Sequence, residues 1–341
     1  MRAAGTSDRH GARVRSVRAR RERGAAIVTV LLIVTLATVV VSGLFWREHV
    51  AVRSVENRLA LAQTRWMERG AIDYARLVLT YDARAGAVDW AGEPWAIPIQ
   101  PAQLDETITG GGRLDDRSRT PAVLAGQIQD AQARMNLNNL VVNGAVDRLE
   151  VESFARLLAL LGRAPSLADN LAARLLQAQP YRAGGQLVMP VALRMKRLAD
   201  LLEVPGFDAD TVRLLDPFAI FLPVQAERTT VNLNTASAEV IAARVPQLEN
   251  NLALARAFVE RRDRQSYFLS LSDASQRLPA APSGFAPDRW SVGSQYFLLR
   301  GVIRFERVVS RTDTLLSRRP SAAQGAGGSA RNVDVEWQDR Y

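Results

Sequence analysis

From Ala25 to Trp46 the chain runs 22 residues without a formal charge or a proline. At ~1.5 Å rise per residue that is about 33 Å of helix, enough to cross a hydrocarbon core of ~30 Å. The pattern then changes rather than stopping. Val52, Val55, Leu59, Trp66, Ile72, Tyr74 and Leu77 recur at helical intervals, and Arg53, Glu56, Arg58, Arg65, Glu68, Arg69, Asp73 and Arg76 fill much of the other face. The first proline is Pro94. One continuous helix is therefore predicted from about Ala25 to about Tyr81, with its second half packed by its apolar side against a domain. Gly43 and Gly70 each cost roughly 1 kcal/mol against alanine and permit bending.

Beyond this helix the texture alternates. Asp82–Thr120 is rich in glycine, proline and tryptophan and reads as an ordered loop, with a short strand and turn within Asp105–Asp116. Gly126–Leu140 reads as a strand ending in an asparagine-rich turn. From Val146 to about Gln276 the pattern is helical. Glu150–Gly162 is amphipathic and closed by glycine, and Ser166–Ala178 has Ser166 as its N-cap candidate. Leu193–Pro223 reads as helix, Pro-Gly turn, helix. In Val231–Asp263, Asn234 or Thr235 is placed to cap one helix and a second runs from about Asn250 to Arg262. Ser270 or Ser272 caps a further one. Ser291–Arg311 is aromatic and β-branched, one long strand or two with a bend at Gly301. Asp313–Arg318 continues the sheet, Pro320–Arg331 is a Gly/Ala/Ser loop, and Val333–Trp337 alternates as a final strand.

Composition narrows the chemistry. The chain has no cysteine, which excludes disulfides, thiolate metal sites and cysteine nucleophiles. Its two histidines, His10 and His49, precede the large domain, so serine–histidine chemistry and histidine zinc sites are excluded there. Carboxylate chemistry and oxygen-ligated calcium or magnesium stay open, but no acid pair has a supporting constellation. The acidic pairs in Asp105–Asp116 lack the ligand spacing of an EF-hand loop and read as a solvated turn. The net charge of +9 is concentrated at one end. Residues 1–24 carry eight arginines against Asp8 and Glu22, leaving the rest of the chain at +3. A chain-wide nucleic-acid reading of the charge loses most of its basis. Eight arginines before the span predict a cytoplasmic N-terminus, with the bulk of the chain across the membrane.

Arg23-Gly24-Ala25, set directly before the apolar run, resembles the class III leader of type IV pilins and pseudopilins. The resemblance implies a prepilin peptidase that cuts between Gly24 and Ala25 and methylates Ala25. An uncleaved signal anchor is the plain alternative. Most members carry glutamate at the fifth mature position, and here that position is Thr29. A carboxylate inside a membrane is costly unless paired, and in pilins it is thought to meet the amino terminus of the neighbouring subunit. A subunit without it suits the tip, where nothing lies beyond.

The segment "DAQARMNLNNL" and the opening "NLNTA", with Asn232, Asn234 and Thr235, resemble the K-type minor pseudopilin of the type II, or general, secretion system. The closing strands, with "S-x-Y-F" and "V-x-W", resemble it too. The implied fold is α+β: a long pilin-like N-terminal helix packed on an antiparallel sheet, with a large all-α insertion of SAM-like or helix-hairpin-helix-like kind. The divisions are a leader at 1–24, a transmembrane and stalk helix at 25–81, a first pilin-like part at 82–145, a helical insert at 146–280 and closing strands at 281–341. The implied role is structural, not enzymatic: a subunit of the inner membrane and periplasm that caps the pseudopilus tip. Its implied partners are the I- and J-type minor pseudopilins, the major pseudopilin, the prepilin peptidase and the inner-membrane assembly platform. Secreted substrates and the outer-membrane secretin are further implied contacts. Some family members bind calcium, but no ligand is assignable here. The runner-up is a membrane-anchored helix-hairpin-helix DNA-binding protein. Its hairpin, Val245–Asn251, lacks the glycine that lets backbone amides meet phosphate, and no nucleic acid is expected.

Overall fold

The computed structural model describes residues 11–104, 122–224, 227–245, 248, 251–277, 288–318 and 333–341. The expected strand and turn within Asp105–Asp116, the loop Pro320–Arg331 and most of the Val245–Asn251 turn lie outside these residues. Helix α1 spans Gly11–Ala85, longer at both ends than the predicted 25–81. The chain divides into two compact units, Met1–Gln63 and Thr64–Tyr341. In the first, the apolar side chains from Ile27 to Trp46 are exposed, as expected of a helix whose solvent is lipid rather than water.

The second unit is built on a five-stranded antiparallel sheet. Its strands are β1 Ile99–Leu104, β2 Ala122–Asp130, β3 Tyr296–Phe305, β4 Val308–Arg318 and β5 Val333–Arg340, in spatial order β1-β2-β3-β4-β5. Strand alternation gives β3 two apolar faces. Phe297 and Leu299 pack with Ala75 and Leu79 of α1 and with Trp95, Ile128, Leu316 and Val333. Tyr296 and Leu298 pack on the opposite side with Ala131, Ile220, Leu222 and Leu315. The stalk helix thus covers one face and chain from between β2 and β3 covers the other.

That chain leaves the sheet after Asp130 and returns at Tyr296, yet Asp130 and Phe297 are register partners. The helical texture read at 146–280 lies inside this excursion. It holds α2 Arg148–Leu160, α3 Leu167–Leu176, α4 Ala209–Leu215, α5 Ala238–Arg244, α6 Leu252–Gln265 and α7 Leu271–Arg277. These helices enclose a separate apolar core around Phe154, Leu157, Leu171, Phe221, Val240, Ile241 and Phe268.

Several local expectations are corrected. Ser166 makes no side-chain cap bond because its backbone is already helical (φ −61, ψ −17), whereas a capping residue needs an extended one. Leu198–Glu203 winds as a 3-10 helix, not an α-helix. Helix α5 is capped by Ser237, whose Oγ accepts from the Val240 amide at 3.3 Å, so neither Asn234 nor Thr235 caps it. Asn251 caps α6, and Ser270, one of the two serines proposed, accepts from the Asp273 amide at 3.1 Å. Of the two readings of Ser291–Arg311, one long strand or two with a bend at Gly301, the structure has two strands, but they do not part at Gly301. Gly301 lies mid-strand opposite Gly126, where a Cβ on Gly126 would come within 3.1 Å of the Arg300 carbonyl oxygen. These glycines serve close strand approach, and the chain turns instead at Glu306, with φ 52.

Candidate functional site

The polar residues singled out in the sequence meet where the excursion joins the sheet. Asp130 ends β2 with its side chain buried. It accepts from the Gln132 amide at 2.8 Å, Ser294 Oγ at 2.6 Å, Thr235 Oγ1 at 2.5 Å and Asn232 Nδ2 at 2.9 Å. Burial pushes the Asp130 carboxyl up and Asp89 adds to it, while the bonds from Ser294, Thr235 and Asn232 oppose the rise. Asn232 Nδ2 also donates to the Asp89 carbonyl at 3.0 Å. Asn234 donates to the Phe268 and Val292 carbonyls and accepts from the Phe268 amide at 2.7 Å. The three motif residues are long-range fasteners. An Asn can satisfy a backbone donor and acceptor at once, which explains why the motif needs amides rather than hydroxyls at 232 and 234.

The asparagine-rich turn works the same way. Asn136 Oδ1 accepts from the Leu222 amide at 3.0 Å, Asn138 donates to the Leu222 carbonyl at 2.6 Å, and Asn139 donates to the Thr229 carbonyl at 2.7 Å. Gln132 ties the two ends of the excursion together. Its Oε1 accepts from the Gln295 amide at 2.6 Å, and its Nε2 donates to the Thr230 carbonyl at 2.8 Å.

Next to this junction, Arg318 of β4 is buried against three carboxylates. It donates to Asp82 at 2.5 Å, to both oxygens of Asp89 at 2.6 Å and to the Ser294 carbonyl at 2.8 Å, with its guanidinium 4.7 Å from the Phe297 ring centroid. Glu93 accepts from the Trp90 amide at 3.0 Å and Trp95 Nε1 at 2.7 Å. Oxygens of Asp82, Asp89 and Glu93 lie within 4.8 Å of one another. The donor type suits a hard cation, but calcium takes about 6–8 oxygens, and Arg318 already holds two of the three carboxylates. This group does not fit a calcium site with Arg318 in place.

Burial raises Asp82 to about 7, helped by Glu93 and Asp89 and opposed by Arg318. The folded chain therefore holds a proton here that the unfolded chain releases near 3.8. The resulting stability is complete below the ordinary carboxylate value and is lost as pH rises through about 7. Denaturation midpoints are expected to fall from pH 5 to pH 8, and Asp82→Asn is expected to flatten that slope. Slopes that match in the two proteins would remove Asp82 as the group responsible.

A second charge cluster lies within the excursion. Glu150 accepts from both Arg244 nitrogens at 2.8 Å and from Arg289 at 2.7 Å. Asp147 accepts from Arg228 at 2.5 Å and from Arg289 at 3.3 Å. Burial pushes Asp147 up, but Arg228, the Glu150 amide and Arg289 together hold it below its ordinary value. These groups, like Arg318, Asp89 and Ser294, were missed in the sequence. Their partners lie far along the chain; the aspartate of "DAQAR" and Ser294 of "S-x-Y-F" stood in quoted motifs, but nothing in either motif named the partner.

Three arginines of the helix-hairpin-helix-like unit are engaged within the fold. Arg262 is buried and donates to the Leu233 and Ala236 carbonyls at 2.7 and 2.8 Å, Arg256 pairs with Glu239, and Arg264 pairs with Glu260. Gly24 and Ala25 fall within the helical backbone of α1, and Thr29 is exposed on it. They are remote in sequence from the junction.

Two profiles, both described as type II secretion system (T2SS) protein K, match residues 133–224 and 231–292. The first takes in the asparagine turn and the second opens one residue before Asn232. A type II secretion system protein K from Pseudomonas aeruginosa is 33% identical over 307 residues, spanning 82% of this chain and 83% of the relative. The chain belongs to the type II secretion system protein K family. A protein K from Pectobacterium carotovorum subsp. carotovorum is 26% identical over 308 residues, spanning 83% of this chain and 89% of that one. Among solved structures, a chain of the GspK–GspI–GspJ complex from the type 2 secretion system of enterotoxigenic Escherichia coli superposes with a TM-score of 0.58 at 19% identity, spanning 84% of this chain and 97% of that chain. The expected α+β architecture is thus the protein K fold, and the chain is a minor pseudopilin of type II secretion. Its long apolar N-terminal helix is of the length and composition of a membrane anchor.

Proposed function

We propose that this protein K caps the tip of a periplasmic pseudopilus, primes its assembly and supports protein export across the outer membrane as a structural subunit rather than an enzyme. The observation that carries the reading is the bulk carried between neighbouring strands β2 and β3, from Ala131 to Gln295. A helical mass of that size on one sheet face would obstruct further subunits above it. Thr29 supports it, since a subunit with no successor gives up nothing by lacking glutamate. The related complex pairs its K, I and J chains, and I- and J-type minor pseudopilins are the partners proposed here. The major pseudopilin, the assembly platform, secreted substrates and the secretin are further contacts of the same reading. The proposed topology places the basic leader in the cytoplasm, α1 in the inner membrane and the body in the periplasm. The proposed processing is cleavage between Gly24 and Ala25 and N-methylation of Ala25.

Intact mass and N-terminal sequence of the membrane-extracted protein, with and without co-expressed prepilin peptidase, test the processing. A peptidase-dependent N-methylated Ala25 is expected. A chain that keeps its leader beside an active control would leave a plain signal anchor. Pull-down with I- and J-type subunits tests the tip complex. Thr29→Glu tests the tip itself. An unpaired carboxylate is costly within the span, so secretion is expected to fall. Unchanged secretion and unchanged assembly would argue for a neutral substitution.

A further inference from the structure

The arginine of "DAQARMNLNNL", Arg134, takes no part in the junction described above. It follows the 3-10 turn Ala131–Ala133 and is only 7% exposed. Its Nη2 donates to Gln129 Oε1 at 2.6 Å. Its Nε and Nη1 are buried and have no hydrogen-bond partner, which leaves their N–H groups unused. Among the described residues Arg134 forms no ion pair. A buried guanidinium with neither water nor a counter-charge in place of its hydration is costly.

Arg134 lines a cavity of about 170 Å³ between the sheet and the excursion. The carboxylates of that cavity are engaged with other arginines. Asp216 accepts from both terminal nitrogens of Arg300 at 2.9 and 2.6 Å. Asp313 lies 3.5 Å from Arg300 Nε, a nitrogen that also has no hydrogen bond. Asp339 pairs with Arg197 at 2.6 Å. Burial and then the Arg300 charge push the Arg134 guanidinium below its ordinary value, and Asp216, Asp130 and Asp313 oppose this without restoring it.

The unused donors require an acceptor, and the positive charge behind them favours an anion. The three aspartates limit its charge. A dianion such as phosphate is repelled by Asp216, Asp313 and Asp339, whereas a single negative charge matches the one guanidinium that lacks an acid. The wall also includes Phe221, Leu298 and Trp337, which suit a short hydrocarbon tail.

We infer that this cavity binds a small monocarboxylate, its oxygens accepting from Arg134 and its tail lying against Phe221, Leu298 and Trp337. This goes beyond the tip reading and does not depend on it.

The test is urea denaturation of the full chain in detergent at pH 8 and constant ionic strength, with sodium gluconate replaced stepwise by sodium acetate. A ligand that binds only the folded state stabilises it in proportion to its occupancy. For a dissociation constant of about 10 mM, about 0.1 M acetate raises the folding equilibrium constant roughly tenfold. Arg134→Met removes the charge and keeps apolar volume, and is expected to abolish the rise. Lys196 lines the same cavity and is exposed, so Lys196→Glu keeps the fold and adds an acid beside the ligand. It is expected to cut the rise to about twofold. Circular dichroism checks the fold of both variants, and Lys196→Glu carries the test if Arg134→Met does not fold. Phosphate, a dianion at this pH, is expected to give no rise. No acetate response in the unaltered chain would mean that water alone serves Arg134, and would overturn the site. An equal response in either variant would be a bulk salt effect and overturn it as well. A phosphate response matching that of acetate would overturn the monocarboxylate assignment.

Discussion

Arg318→Met is expected to destabilise the body by about 3–5 kcal/mol at neutral pH, because it removes one partner of a buried ion pair and leaves the other in place. Three carboxylates, Asp82, Asp89 and Glu93, sit within 4.8 Å of one another with Arg318 donating into the group. Without the guanidinium their mutual repulsion is unbalanced, and the Ser294 carbonyl loses its donor. The cost is expected to shrink as pH falls, since protonation removes the stranded charge. Arg318→Lys keeps the charge but not the fork that spans Asp82 and Asp89, so an intermediate loss is expected. Chemical denaturation of the detergent-solubilised chain, followed through tryptophan fluorescence, measures all three effects. Trp95 packs edge-on against Phe297, at 5.1 Å between centroids, beneath the same arginine. A loss under about 1 kcal/mol at pH 8 would mean that water or a bound cation already compensates the carboxylates.

Glu150→Ala is expected to be comparably severe, about 3–5 kcal/mol, for the same reason with the signs reversed. Glu150 is fully buried and takes both nitrogens of Arg244 as well as Arg289. Its loss strands Arg244, which is itself buried, lying 5.3 Å from the Trp290 ring centroid. Arg289 keeps Asp147 and is less affected. The paired replacement Glu150→Met with Arg244→Met is expected to cost less than the sum of the two single changes, since it removes both charges and leaves apolar volume. Strict additivity in that double-mutant cycle would mean that the pair is not coupled, against the bidentate geometry.

The architecture was legible where one local signal sufficed. The 22-residue apolar run, the amphipathic periodicity after it and the aromatic, β-branched closing segments each declare an element without reference to the rest of the chain. The protein K resemblance rested on the leader and span, two asparagine motifs and the closing strands in order, and the asparagines are the junction's fasteners. What they fasten was not legible. Asn234 and Thr235 were placed as helix caps because a hydroxyl or amide before an apolar run usually caps. In the folded chain Thr235 instead reaches Asp130 and Asn234 reaches Phe268. A polar side chain has the same local signature whether its partner is three residues away or a hundred. The charge clusters were hidden for a related reason, since nothing near Glu150 in sequence announces Arg244 or Arg289. Gly301 shows a third limit: glycine permits both a bend and a close strand contact, and only the facing Gly126 decides between them.

Asp130 and Phe297 sit opposite each other in the sheet although the whole helical body lies between them along the chain. The sheet order is the order of a plain meander, β1 to β5. To the strands, the intervening chain is one oversized turn. Such turns are inexpensive to vary: each doubling of a flexible connection adds only about 0.6 kcal/mol of closure entropy. With its ends held together by Gln132, Asp130 and Asn232, the helical body can lengthen, shorten or be rebuilt without shifting a single strand's register. The sheet and the helical body it carries are therefore free to diverge at different rates.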